Sequence, residues 1–270
     1  MKISQKNIWI IFSIFFMIVI AAFFGQQDKS EDRQVPESKP AELIEPPEAQ
    51  VEVAVVIDDW GYNLHNLDLL KDIELPFTVS ILPNLRYSTE IAEAALNENK
   101  EVILHLPLQP EMMQREIGLE KNTITTTMTE AEILANLGQA LSSVAGATGV
   151  SNHMGSAATA DSRVMSVIFR DFEKRDVFFL DNLVTENSVG RKLAEQMGIK
   201  FVSRDVFLDN RDDYEYIQGQ FKQLIKIAQA QGQAVGVGHA RRNTLLVLQE
   251  LAPLFEQQGI KLVFLSDLAK

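Results

Sequence analysis

The chain has 270 residues, no cysteine and a formal net charge of -12. The lack of thiols excludes disulfides and any cysteine-based zinc or nucleophile chemistry, without fixing the compartment. An acidic chain does not gather nucleic acid by its overall field, so no nucleic-acid partner is expected.

In chain order, Lys2 and Lys6 precede an uncharged apolar run from Ile8 to Phe24. As a helix, at ~1.5 Å per residue, the run spans roughly 25 Å, near the lower limit for a bilayer. It also exceeds the ~7–15 apolar residues of a cleavable signal. Residues 1–7 are therefore expected to be a cytoplasmic basic segment and 8–24 a signal anchor that places the bulk of the chain outside the cytoplasmic membrane. Val19-Ile20-Ala21 leaves a cleaved signal peptide and a periplasmic product as the alternative. Residues 25–50 hold Pro36, Pro40, Pro46 and Pro47 among charged and amide side chains. That composition cannot bury enough apolar surface to order itself, and it predicts a disordered linker.

Residues 51–270 are expected to form one α/β domain. Apolar runs at 53–57, 78–81, 102–104, 149–151, 177–180, 201–203, 235–238 and 262–265 read as strands buried on both faces of a parallel sheet. Amphipathic stretches fill the gaps. The clearest runs from Tyr214 to Gln231, with Ile217, Phe221, Leu224, Ile225 and Ala228 on one face and Gly232 as its stop. Thr129 and Glu132 have capping-box spacing, Asn243 is a candidate cap for the last long helix, and Pro253 should kink or split that helix. Seven or eight β–α units suggest a closed or nearly closed barrel, with an open doubly wound sheet as the alternative. Asp58-Asp59-Trp60-Gly61 follows the first strand where a phosphate-cradling glycine loop would sit, which weakens a nucleotide-binding version of the open sheet.

In parallel β/α folds chemistry gathers at the carboxyl ends of strands. Those ends carry Asp58-Asp59, His105, Asn152-His153, Asp181, Arg204-Asp205 and His239. Each has a structural explanation as a helix cap, a turn brace or a satisfied histidine, and His65 is assigned to the surface of the first helical stretch. Three of the four histidines at one end of a sheet nevertheless favour a site. Carboxylates with neutral imidazoles suit a divalent metal such as zinc, with a position left for water, and hence metal-assisted hydrolysis. The stretch from Leu106 to Met128 is long for a connection and is expected to cover that site as a lid or binding loop.

The segments VVIDDWG, HLPLQP, SNHMGSAAT, FFLDN, SRDVFLDN and VGHARRNT, in this order, resemble the motifs of the divergent polysaccharide deacetylases, relatives of the NodB-type carbohydrate esterases. The resemblance extends from Val51 to Leu268. It implies an irregular NodB-like barrel of seven to eight parallel strands and removal of N-acetyl groups from an amino-sugar glycan such as peptidoglycan. It also implies Asp58 as general base, Asp59 as metal ligand and His239 as general acid. NodB-type enzymes take two metal histidines from one H-x-x-x-H segment, but Gln109 stands four residues after His105. His105 and His153 are therefore expected to share the metal from different strands. Asp181 is a further catalytic candidate, and Asn152, Arg204 and Asp205 are candidates for substrate binding or support. The alternative is a catalytically silent glycan-binding or envelope-scaffold protein on the same fold.

Overall fold

The computed structural model describes residues 50–111 and 119–270. The expected basic segment, the anchor and all but the last residue of the linker lie outside the described residues, as do residues 112–118 of the expected lid. No helix among the described residues is long and apolar enough to cross a membrane.

The central strand, β1 (Val51–Trp60), is buried from Val53 to Asp58 because neighbours cover both of its faces and edges. It runs parallel to β2 (Thr78–Ile81) over its carboxyl half and to β9 (Ile260–Val263) over its amino half. β8 (Gln233–His239) lies alongside both halves. From β2 the sheet continues through β3 (Glu101–Leu108), β4 (Gly149–Met154) and β5 (Phe178–Asp181) to β6 (Phe201–Ser203). β7 (Val206–Phe207) pairs with the far edge of β8. Every pairing is parallel, and register sets the site: Asp58 lies opposite His239, and Pro107 opposite His153.

The described sheet thus has nine strands, against the seven or eight expected. The extra strand, β7, holds two residues and is too short to show periodicity. The last strand comes earlier than expected, because Leu265 already opens the short helix α8 (Leu265–Leu268). Among the described residues β6 does not pair with β7, so the barrel is open at one seam. The chain crosses this seam at Arg204-Asp205. The Arg204 amide donates to the Asp181 carbonyl on one side, and Asp205 exchanges backbone and carboxylate hydrogen bonds with Val235 on the other.

Six helices are packed against the strands before α8: α1 (Leu67–Asp72), α2 (Ser88–Asn97), α3 (Glu130–Ser143), α4 (Ser162–Arg175), α5 (Gly190–Met197) and α6 (Tyr214–Gln231), and a seventh, α7 (Arg242–Gln257), precedes β9. α6 has the expected limits, because its five predicted apolar residues are buried and Gly232 adopts the left-handed conformation that ends it. The Thr129–Glu132 capping box opens α3. Asn243 does not cap α7: its amide donates to Asp212, and the helix starts from Arg241 without a side-chain cap. α7 also runs through Pro253 without a break. His65 is exposed but sits in the turn before α1 rather than in a helix.

Candidate active site and metal centre

Asp59, His105 and His153 converge at the carboxyl end of the sheet. The β1–β2 register shifts between Ile57 and Trp60, and Asp59 takes the left-handed conformation (φ 63°). That irregularity lets adjacent aspartates both approach His105, where a regular strand would send them to opposite faces. Asp59 Oδ1 lies 3.3 Å from His105 Nε2 and 3.2 Å from His153 Nδ1, and the two nitrogens are 3.1 Å apart.

Behind this triangle, His105 Nδ1 lies 2.7 Å from Ser151 Oγ, which is 2.9 Å from Ser80 Oγ. A proton on Nδ1, donated to Ser151, leaves Nε2 as a lone pair facing the triangle. Three donors about 2.0–2.1 Å from one tetrahedral ion would stand about 3.3 Å apart, so the observed separations fit a small divalent metal. The donor set, one carboxylate and two imidazoles, fits as well. Burial opposes ionisation of Asp59, but the facing imidazoles of His105 and His153 hold its carboxyl well below the usual carboxylate range.

Asp58 and His239 flank the triangle. Asp58 is buried; its Oδ2 accepts a hydrogen bond from Asn182 Nδ2 at 3.0 Å, and its Oδ1 lies 3.5 Å from His105 Nδ1. Burial pushes this carboxyl up, with His105 pulling it back. His239 presents Nε2 to Asp59 Oδ2 at 3.7 Å, while its Nδ1 pairs with Asp209 Oδ1 at 2.9 Å. Burial works against the imidazolium, yet Asp209 outweighs it and raises the His239 pKa above its ordinary value. Asp209 is fully buried and also accepts from Thr244 Oγ1 and the His239 amide. Burial again opposes its charge, and His239 foremost holds its pKa low. Gly238 makes this arrangement possible, because a Cβ there would stand 2.8 Å from the Thr244 methyl.

The structure therefore brings together Asp58, Asp59, His105, His153 and His239. Asp181, expected to be catalytic, is not part of this cluster. Its carboxylate is engaged by its own loop, accepting from the Leu183 amide and from Ser188 Oγ. Asn152 supports the site at one remove: its Oδ1 accepts from the Asn182 amide, and its Nδ2 donates to the Met154 carbonyl. Arg204 donates twice to the Asn182 carbonyl and stacks on Phe207. Asp205 points away, its carboxylate taken by the Val235 amide at the seam. Of the expected lid, Ile124 bridges back to β3, and Gln109 Oε1 accepts from both the amide and the hydroxyl of Thr126. Gln109 thus pins the base of that connection.

Sequence reasoning missed Asn182, Asp209 and Ser151. Asn182 follows a strand end directly, so the strand-end rule could have found it; Asp209 comes two residues after β7, a strand too short to be seen in the sequence, so the rule could not reach it. Ser151 sits inside an apolar strand and gives no such signal.

The chain matches the divergent polysaccharide deacetylase family over residues 55–269. It is 33% identical over 201 residues to an uncharacterised protein of Haemophilus influenzae, covering 74% of this chain and 71% of the relative. It is 34% identical over 199 residues to the Escherichia coli protein YibQ, covering 74% and 61%. Among solved structures, an uncharacterised protein of Agrobacterium tumefaciens superposes with a TM-score of 0.77 at 22% identity, covering 83% of this chain and 92% of that one. The catalytic domain of a peptidoglycan N-acetylglucosamine deacetylase from Eubacterium rectale gives 0.51 at 13% identity, covering 82% and 90%. At such identities the structural likenesses establish a shared fold, a parallel-strand α/β half-barrel of the NodB type. The sequence match establishes the lineage: the chain belongs to the divergent polysaccharide deacetylase family.

Proposed function

We propose that this chain is a metal-dependent hydrolase that removes N-acetyl groups from an amino-sugar glycan such as peptidoglycan. It would act on the outer side of the cytoplasmic membrane, held there by residues 8–24 or released into the periplasm. The observation that carries the reading is the placing of three convergent metal-ligand atoms between a buried carboxylate and a carboxylate-held histidine.

Asp59, His105 and His153 would hold the ion, with zinc favoured by two imidazoles and one carboxylate. A bound divalent ion supplies the Lewis acidity that makes water a nucleophile near neutral pH. Asp58 takes the proton of the attacking water, and its burial, by raising its pKa, makes it a stronger base than an exposed aspartate. Asn182 fixes one oxygen of Asp58 and leaves the other to act. His239, whose pKa Asp209 raises, gives the proton from Nε2 to the departing amine nitrogen as the C–N bond breaks. The products are acetate and a free amino sugar; Asp58 then releases the proton taken from water and His239 takes one up, by exchange with solvent, so both groups return to their starting states.

Acetate release by the purified full-length chain on N-acetylated glycans, with and without added zinc after chelation, tests the proposal. Zinc-dependent release supports it. Metal binding without release from any N-acetylated glycan would instead favour a silent glycan-binding role.

A further inference from the structure

Seven residues other than glycine have positive φ among the described residues, and five of them are Asn or Asp, which tolerate it. Of the other two, Met154 follows His153, and Leu183 (φ 47°) follows Asn182. A bulky leucine in that region is held there only by its surroundings. Asp181 Oδ1 accepts the Leu183 amide at 2.9 Å, and Arg204 grips the Asn182 carbonyl at 2.9 and 2.6 Å. The clamp turns Leu183 and Val184 outward, 46% and 42% exposed, from a strand end whose neighbouring residue touches Asp58.

Asn182 supplies a second observation. Its Nδ2 donates to Asp58 Oδ2 and to the Asn152 carbonyl, which fixes the amide orientation. Its Oδ1 is left buried, with no hydrogen-bond partner among the described residues. An orphaned acceptor is costly, and beside a catalytic carboxylate it suits a ligand that brings its own donor.

Building on the proposed deacetylase reading, we infer that Asn182-Leu183-Val184 is the segment that reads the substrate. Asn182 Oδ1 accepts a hydrogen bond from an N–H or O–H of the sugar that carries the scissile amide, and Leu183 supports the apolar C–H face of a sugar ring. The segment thereby selects an acetamido sugar within a chain over a free acetamide.

Leu183→Asn tests this, because asparagine tolerates the left-handed conformation but removes the apolar surface; Leu183→Gly is the second variant. Relief of strain should raise Tm by about 2–4 °C. At the same time kcat/KM on an N-acetylglucosamine tetramer should fall about tenfold, mainly through KM, the size of effect expected for one lost apolar contact. Calorimetric binding of the same tetramer to the full-length, zinc-loaded chain separates this inference from the activity it rests on. If the wild type releases no acetate, the deacetylase reading fails, yet weaker tetramer binding by both variants would still support the segment's role. Unchanged tetramer affinity in both variants, or no tetramer binding by the wild type, would overturn it.

Discussion

Two buried carboxylates at opposite ends of the barrel show how the molecule separates stability from chemistry. At the amino end, Glu101 spends both oxygens on structure: Oε2 accepts from Thr78 Oγ1 and the Leu265 amide, and Oε1 from Thr148 Oγ1 and the Ser266 amide. It ties β2, the residue preceding β4 and the start of α8 together. At the carboxyl end, Asp58 is more deeply buried, yet its Oδ1 has no hydrogen-bond partner among the described residues, nor has Oδ1 of Asp59. A buried carboxylate with every position filled strengthens the fold; one left partly unpaired keeps capacity for a ligand or a proton. Backbone strain follows the same division. Among the described residues, the two positive-φ residues that are not Gly, Asn or Asp, Met154 and Leu183, both adjoin the site, and such residues cost about 1–3 kcal/mol each.

The largest effect is expected on turnover. Asp58→Asn and His239→Ala should each lower kcat by on the order of 10²–10⁴ while leaving metal content unchanged. A parallel loss of bound metal would make Asp58 a structural support of His105 rather than the base. Glu101→Gln should do the reverse, costing about 1.5–3 kcal/mol of stability in denaturant titration with activity per folded molecule preserved. An activity loss beyond the folded fraction would break the division between the two ends.

A smaller effect is expected from pH. Asp209 raises the His239 pKa above its ordinary value, so the protonated pair adds stability that is fully present below about pH 6.5. That contribution is lost as pH rises through the raised folded-state pKa. In chelated protein, Asp209→Asn should flatten this part of the stability profile, and an unaltered profile would show that the pair does not hold. The smallest effect is remote: Thr129→Ala removes the capping box of α3 and should cost about 1 kcal/mol with no change in turnover.

How much the sequence disclosed follows from the range of the physics involved. α6 was legible to the residue because its apolar face and both ends are local signals. The strands themselves were legible from apolar runs buried on both faces, but three carboxyl ends were not: β1, β3 and β4 continue to Trp60, Leu108 and Met154, past runs that stop at residues 57, 104 and 151. Direction was not legible. Asp181 and Asn182 are neighbours, and only the turn at Leu183 decides that the amide faces Asp58 while the carboxylate serves the loop. Asn243 failed as a cap because a partner on another segment, Asp212, claims its side chain. The seam was hidden for a similar reason, since a two-residue strand is defined by its neighbour, β8, and by nothing in its own sequence.

Under the proposed function, Asp59, His105 and His153 hold one divalent ion from three separate strands. The most direct test titrates zinc into the chelated full-length chain by calorimetry, beside His153→Ala. One ion per chain is expected, with affinity lowered at least ~10–100-fold in the variant, since even a supporting residue of a metal site typically contributes that much. A wild-type chain that takes up no divalent ion, or a His153→Ala chain that binds zinc as tightly as wild type, would rule out this metal centre.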